Sequence, residues 1–160
     1  MPKKQTTRPE QSRRIEETLK FIPKFDKNGL IPAIAQDAKS GEILMVAYMN
    51  KKALDLTIKT GFATYYSRSR GKLWKKGEQS GHFQKVKQIL TDCDQDCILM
   101  KVSVDAGQCH TGYKSCFYRA VEKGNGKKLR LIAKKVYDPK KVYKKITHCS
   151  NCEACLYRKL

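Results

Sequence analysis

Apolar and polar positions along the chain repeat with two different periods. Leu30-Ile31-Pro32-Ala33-Ile34-Ala35-Gln36 and Glu42 to Met49 are short apolar runs that read as β-strands. Between them, Asp37-Ala38-Lys39-Ser40-Gly41 has the composition of a hairpin turn. Asn50 offers an N-cap for a helix over Lys51 to Thr60, and Gly61 ends it. Phe62 to Ser67 is aromatic and β-rich, which predicts a third strand. Gly71, Gly77 and Gly81 stand among polar neighbours and predict an irregular functional loop from Gly71 to Phe83. Val86 to Asp92 and Cys97 to Val104 read as a further strand pair, Gly107 to Ser115 as a loop, and Cys116 to Val121 as a strand. Gly124-Asn125-Gly126 marks a turn or boundary, and Leu129 to Val136 a short strand or helix. Near the N-terminus, Ser12 could cap a short helix reaching Lys20. Strands with few helices and no internal repeat predict an α+β class, rich in β-structure.

At 160 residues and 40% hydrophobic content, the chain suits one domain with a sizeable core. The expected layout is a basic lead-in over 1–25, a catalytic domain over 26–125, and a basic, cysteine-containing extension over 126–160. No apolar run reaches about 18 residues, which excludes a helical membrane span. The charged start MPKKQTTRPEQSRR has no apolar stretch behind it, so a secretory signal is excluded and a cytoplasmic location expected. Seven cysteines, an odd number, in a reducing compartment point to metal binding or catalysis rather than to disulfides. The formal charge is +19; eleven Lys/Arg against Asp138 and Glu153 put +9 of it in residues 126–160. A basic surface suits phosphates, on nucleic acid or on a small polyanion, and solubility is the plainer alternative.

The chemistry concentrates between Thr91 and Phe117. Asp92, Asp94 and Asp96 surround Cys93, and Cys97, Cys109-His110 and Cys116 follow. Carboxylates favour hard ions such as Mg²⁺, whereas thiolates and imidazole favour Zn²⁺, so two different metals close together are expected, which points to an enzyme. In an extended segment the three aspartates would share one face and Cys93 the other. Three like charges ask for a cation or a Lys/Arg among them; a solvated acidic turn is the alternative. Cys93, Cys109 and Cys116 follow a C-x15-C-x6-C spacing. Three ligands plus water make a catalytic zinc site, whereas Cys97 as a fourth thiolate would close it into a structural one; the spacing leaves both open.

His110 beside Cys109 is a candidate proton shuttle, or else a surface histidine. His82 reads as a surface residue. Tyr66-Ser67-Arg68-Ser69-Arg70 and Leu73-Trp74-Lys75-Lys76-Gly77-Glu78 supply guanidinium, hydroxyl and glycine suited to phosphate oxygens, with Lys114 and Arg119 as further candidates. Trp74 either stacks on a base or fills the core. In the tail, Cys149, Cys152 and Cys155 give C-x2-C-x2-C, part of an iron–sulfur set, a zinc site completed by His148, or incidental thiols.

These residues carry a resemblance. The run from about Leu30 to Val121 resembles the phosphoribosyl-AMP cyclohydrolases of histidine biosynthesis. The matching pieces are Glu42 to Asn50, Tyr66 to Arg70, Leu73 to Gly81, Asp92 to Asp96, Cys109-His110-Thr111-Gly112 and Ser115-Cys116-Phe117. The resemblance implies an intertwined homodimer of α+β subunits. It implies Zn²⁺ bound by Cys93 of one subunit with Cys109 and Cys116 of the other, and Mg²⁺ at Asp92, Asp94 and Asp96. The implied reaction is hydrolytic opening of the adenine ring of 1-(5-phosphoribosyl)-AMP between N1 and C6. On this reading zinc activates the attacking water with Mg²⁺ assistance, and His110 moves protons. Arg68, Arg70, Lys75 and Arg119 are expected near the two substrate phosphates, with Trp74 also at the substrate. Two departures stand out: Cys97 occupies a place expected to hold a non-ligand such as Thr, and the tail from about Lys127 has no placed counterpart. The competing readings are a zinc-containing nucleic-acid-binding protein, supported by the charge and the tail cysteines, and a structural zinc protein closed by Cys97.

Overall fold

Side chains that alternate with period two build the central layer of this protein. The computed structural model describes Glu16 and residues 18–143. Its elements run β1 (Ile31–Asp37), β2 (Ile43–Met49), α1 (Lys51–Thr60), β3 (Thr64–Ser67), β4 (Lys72–Lys75), β5 (Lys85–Thr91), β6 (Ile98–Ser103), β7 (Arg119–Glu122), β8 (Asn125–Leu131) and α2 (Pro139–Val142). β1 buries Ile31, Ala33 and Ala35, and β6 buries Ile98, Met100 and Val102. Their parallel register sets Ala33 against Ile98 and Ala35 against Met100, so both apolar rows share one face. Leu44 and Met49 of β2, Ala53 and Leu54 of α1, and Tyr65 of β3 complete the core. Each fully buried Leu, Ile or Met there contributes about 1.5–3 kcal/mol.

The six strands are ordered β4-β3-β2-β1-β6-β5, antiparallel except for β1 with β6. The sheet curls. Val86 N–H donates to Gly61 O at 2.8 Å and Ala63 N–H to Gln84 O at 3.0 Å, tying the start of edge strand β5 to the chain before β3. The result is a mixed half-barrel with two short helices among the described residues, the β-rich architecture expected. β7 and β8 form a separate hairpin. No helix among the described residues is long and apolar enough to cross a membrane.

Helix α1 is terminated as its sequence predicts. Asn50 Oδ1 accepts from Ala53 N–H at 2.8 Å, and Gly61 closes the helix at φ +70°. Buried Thr57 then sews the helix to β3, its hydroxyl accepting from Thr64 N–H at 3.0 Å and donating to Ala53 O at 2.9 Å.

Several expectations shift. The segment 71–83 is not loop throughout: β4 lies inside it, paired with β3 through Tyr65↔Trp74 and Tyr66↔Leu73. The strand expected from Cys116 begins only at Arg119, because residues 107–118 form one long loop. Gly124 turns the chain at φ +79°, so β8 starts at Asn125 rather than near Leu129. A short helix, α2, stands in the presumed tail, capped by Asp138. The helix expected over 12–20 falls largely outside the described residues, and His148, Cys149, Cys152 and Cys155 fall wholly outside them.

Candidate active site

The β5–β6 connection carries the acidic centre. Ligand oxygens of Asp92, Asp94 and Asp96 all lie within 4.8 Å of one another. They are gathered by a turn and not by the strand alternation expected, because Asp92 organises the backbone: its Oδ1 accepts from both Asp96 N–H and Cys97 N–H at 3.0 Å. Gln95 between them adopts φ +61°, the left-handed region that side chains other than glycine rarely take. The irregular segment from Lys20 to Lys24 holds it there. Gln95 Oε1 accepts from Ile22 N–H at 2.6 Å, its Nε2 donates to Lys20 O at 3.0 Å, and its carbonyl accepts from Lys24 N–H at 2.7 Å. Burial, then the hydrogen bond and charge of the neighbouring aspartates, pushes the Asp96 carboxyl above its ordinary value, with Lys24 opposing. Three crowded carboxylates of this kind fit a hard divalent cation.

The second centre lies on the loop 107–118. Ser115 fixes that loop to β2, its hydroxyl donating to Ile43 O at 2.7 Å, and Cys116 N–H donates to Leu44 O at 2.7 Å. Lys114 adds ion pairs to Asp37 at 2.9 Å and Glu42 at 3.0 Å, across the β1–β2 turn. Cys109 is buried, its Sγ 2.9 Å from Thr111 Oγ1. Its thiol and that of Cys116 are neighbours. Cys116 keeps exposed surface as a residue, yet burial of its thiol is the main cause raising it to about 12, followed by Cys109, with Lys76 opposing. Lys76 is buried beside the pair; desolvation lowers its ammonium, and the two thiolates counter that. Two neighbouring thiols, one of them held back from ionising by the other, form a donor pair suited to a soft divalent cation. No third Cys, His or carboxylate joins them as a three-ligand group among the described residues. Cys93 is exposed and lies on the acidic loop, and Cys97 is half-buried, its thiol raised by burial and by Asp92 and Asp96.

The remaining candidates are distributed unevenly. His110 is exposed next to Cys109. The exposed Arg68 lies 4.0 Å above the Tyr48 ring, Arg70 Nε donates to Ser67 Oγ at 3.2 Å, and Arg119 sits 5.0 Å from the Tyr118 ring. Trp74 packs on buried Tyr65 at 4.9 Å, while Lys75 lies over Phe62 at 4.2 Å. A cavity of about 300 Å³ is lined by Leu56, Thr60, Thr64, Trp74, Lys75 and Glu78 among others. Sequence reasoning gave Lys76, Tyr65 and Tyr137 no place beside the cysteine pair, and it read His82, whose Nδ1 is buried and whose ring meets Tyr137, as a surface residue. Tyr65 donates to Gln84 Oε1 at 2.6 Å and feels the Cys116 charge. The one signal available for Lys76 was strand parity, which puts it on the Trp74 side of β4 and not beside Lys75.

Comparison with known proteins gives a consistent result. The phosphoribosyl-AMP cyclohydrolase family model matches residues 45–118. A phosphoribosyl-AMP cyclohydrolase of Methanococcoides burtonii is 59% identical over 120 residues, covering 75% of this chain and 94% of that protein. One from Nitrobacter winogradskyi is 53% identical over 132 residues, 81% and 91% of the two chains. One from Methanocella arvoryzae is 56% identical over 122 residues, 76% and 97%.

Proposed function

The chain belongs to the phosphoribosyl-AMP cyclohydrolase family, and on that premise we propose how its residues divide the work of opening the purine ring. Its activity is that of a phosphoribosyl-AMP cyclohydrolase in histidine biosynthesis. Water adds at C6 of the N1-ribosylated adenine, and the C6–N1 bond breaks. The oxygen remains as the carboxamide oxygen, and N1 takes up a proton. His110, exposed beside Cys109, takes the proton from the incoming water and returns it to N1.

Cys109 and Cys116 of one subunit, with Cys93 of a second, would hold Zn²⁺. Zinc bound by three protein ligands acts as a Lewis acid that strengthens water as a nucleophile near neutral pH. The observation supporting a shared site is the paired thiols of Cys109 and Cys116 with no third ligand grouped beside them among the described residues. Asp92, Asp94 and Asp96 would hold Mg²⁺. Arg68, Arg70, Lys75 and Arg119 are exposed cations available to the two phosphates, and Trp74 borders the substrate.

A homodimer also gives the β7–β8 hairpin a partner. Two-stranded hairpins are marginal alone. Val121 pairs with Leu129 and Arg119 with Leu131, so Val121, Leu129 and Leu131 share one face, and they remain 63%, 55% and 61% exposed. An apolar face of this kind marks an interface. A biosynthetic enzyme of this class belongs in the cytoplasm.

The observation that carries the functional reading is identity of 53–59% across more than nine tenths of the relatives' length. The test is incubation of the purified chain with phosphoribosyl-AMP, Zn²⁺ and Mg²⁺, following the ultraviolet change as the purine opens. Turnover is expected; none under these conditions refutes the reading.

A further inference from the structure

Residues 135–139 fold back onto the cysteine loop, although they lie beyond the segment matched by the family model. Val136 N–H donates to Gly112 O at 2.8 Å, and Tyr113 bridges to Lys135. The fit leaves no slack. A Cβ on Gly107 would come 2.6 Å from Val136 Cγ2 and 2.8 Å from Tyr137 Cε1. A Cβ on Gly112, which also needs φ +97°, would come 2.5 Å from Tyr137 O and 3.1 Å from Pro139 Cδ.

Tyr137 is the centre of this contact. Its hydroxyl donates to the carbonyl of Cys109 at 2.6 Å. Its ring meets the His82 imidazole edge-on, with centroids 4.7 Å apart. His82 Nδ1 is buried with no hydrogen-bond partner among the described residues, which is unusual for a polar atom without a functional role. One side chain thus touches the backbone of a cysteine in the candidate centre and a histidine with a buried, unpartnered ring nitrogen.

We propose that Tyr137 is a positioning residue of the active site, locking the Cys109 loop and His82 to one another, so that segment 135–139 is a wall of the catalytic centre and not a dispensable tail. The kinetic part of this proposal rests on the cyclohydrolase reading; the structural part does not. Tyr137→Phe keeps the ring against His82 and removes the hydroxyl with its bonds to Cys109 O and the Tyr143 side chain, whereas Tyr137→Ala removes the ring contact as well.

The full chain and the two variants are compared by backbone amide hydrogen exchange and by steady-state kinetics. Tyr137→Phe should speed exchange at the Cys109 and Gly112 amides about tenfold, the effect of one hydrogen bond, without altering β1 and β6. Its kcat should fall several-fold with KM within about twofold, and Tyr137→Ala should fall further, the ordering a positioning role requires. Wild-type exchange and wild-type kcat in Tyr137→Phe would overturn the assignment. So would faster exchange spread evenly over the core strands, which would make Tyr137 a general support of the fold. Absence of turnover in the wild-type chain would instead count against the cyclohydrolase reading, and the exchange comparison would still decide the structural claim.

Discussion

Replacing Tyr65 with Phe deletes a single oxygen from a place without solvent. Tyr65 and Gln84 are both 0% exposed, and the Tyr65 hydroxyl donates to Gln84 Oε1 at 2.6 Å. Gln84 Nε2 has no partner among the described residues, so the Tyr65 contact is what satisfies this side chain. The variant leaves Oε1 as a stranded buried acceptor, which costs about 1–3 kcal/mol. Removing both members of such a pair costs less than removing one. Gln84→Leu in the Tyr65→Phe background should therefore recover about 1 kcal/mol of the loss, since the stranded acceptor disappears as well. Urea unfolding measures both, and the lone Trp74, 4.9 Å from Tyr65, is a fluorescence reporter at the site of the change. A Tyr65→Phe chain as stable as wild type, or a double variant less stable than the single one, would refute this reasoning.

Gln95 separates backbone strain from side-chain bonding. Gln95→Ala and Gln95→Gly both lose the bonds to Ile22 and Lys20, but only glycine is relieved of strain at φ +61°. Gln95→Gly should therefore be about 1 kcal/mol more stable than Gln95→Ala in urea, and equal stabilities would contradict the strain. Asp37 predicts an acid limb. The Ser40 hydroxyl and then the Lys114 ammonium hold its carboxyl down from 3.8 to about 2, so the folded state favours the carboxylate. That contribution, about 2 kcal/mol, is complete above 3.8 and lost as pH falls toward 2. Asp37→Asn should remove it at neutral pH and flatten that part of a stability–pH curve; an unchanged curve would count against it.

Much of the sheet and the helix was legible because their signals are local. Asn50 and Gly61 bracket α1 in the sequence as they do in space, and the apolar runs of β1 and β6 read as strands. What failed was what depends on distant partners. β4 is four residues inside a glycine-rich stretch, and it becomes a strand because Tyr65 and Trp74 pair across from one another. Cys116 does not begin a strand because Ser115 and Leu44 hold the chain in a loop there. The aspartates were rightly grouped but for the wrong reason, since a turn organised by Asp92 gathers them. His82 and Tyr137 meet across 55 positions of sequence, and no local pattern marks that contact.

A centre shared between subunits is tested most directly with mixed dimers. Cys93→Ser and Cys109→Ser chains, each expected to be inactive alone, are unfolded and refolded together in equal amounts. Half of the dimers then combine the two variants, and in each of these one of the two centres keeps Cys93 from one subunit with Cys109 and Cys116 from the other. Recovery of about one quarter of wild-type activity and zinc content is the predicted result. No recovery, with mixed dimers shown to be present, would mean that the three cysteines do not act across the interface.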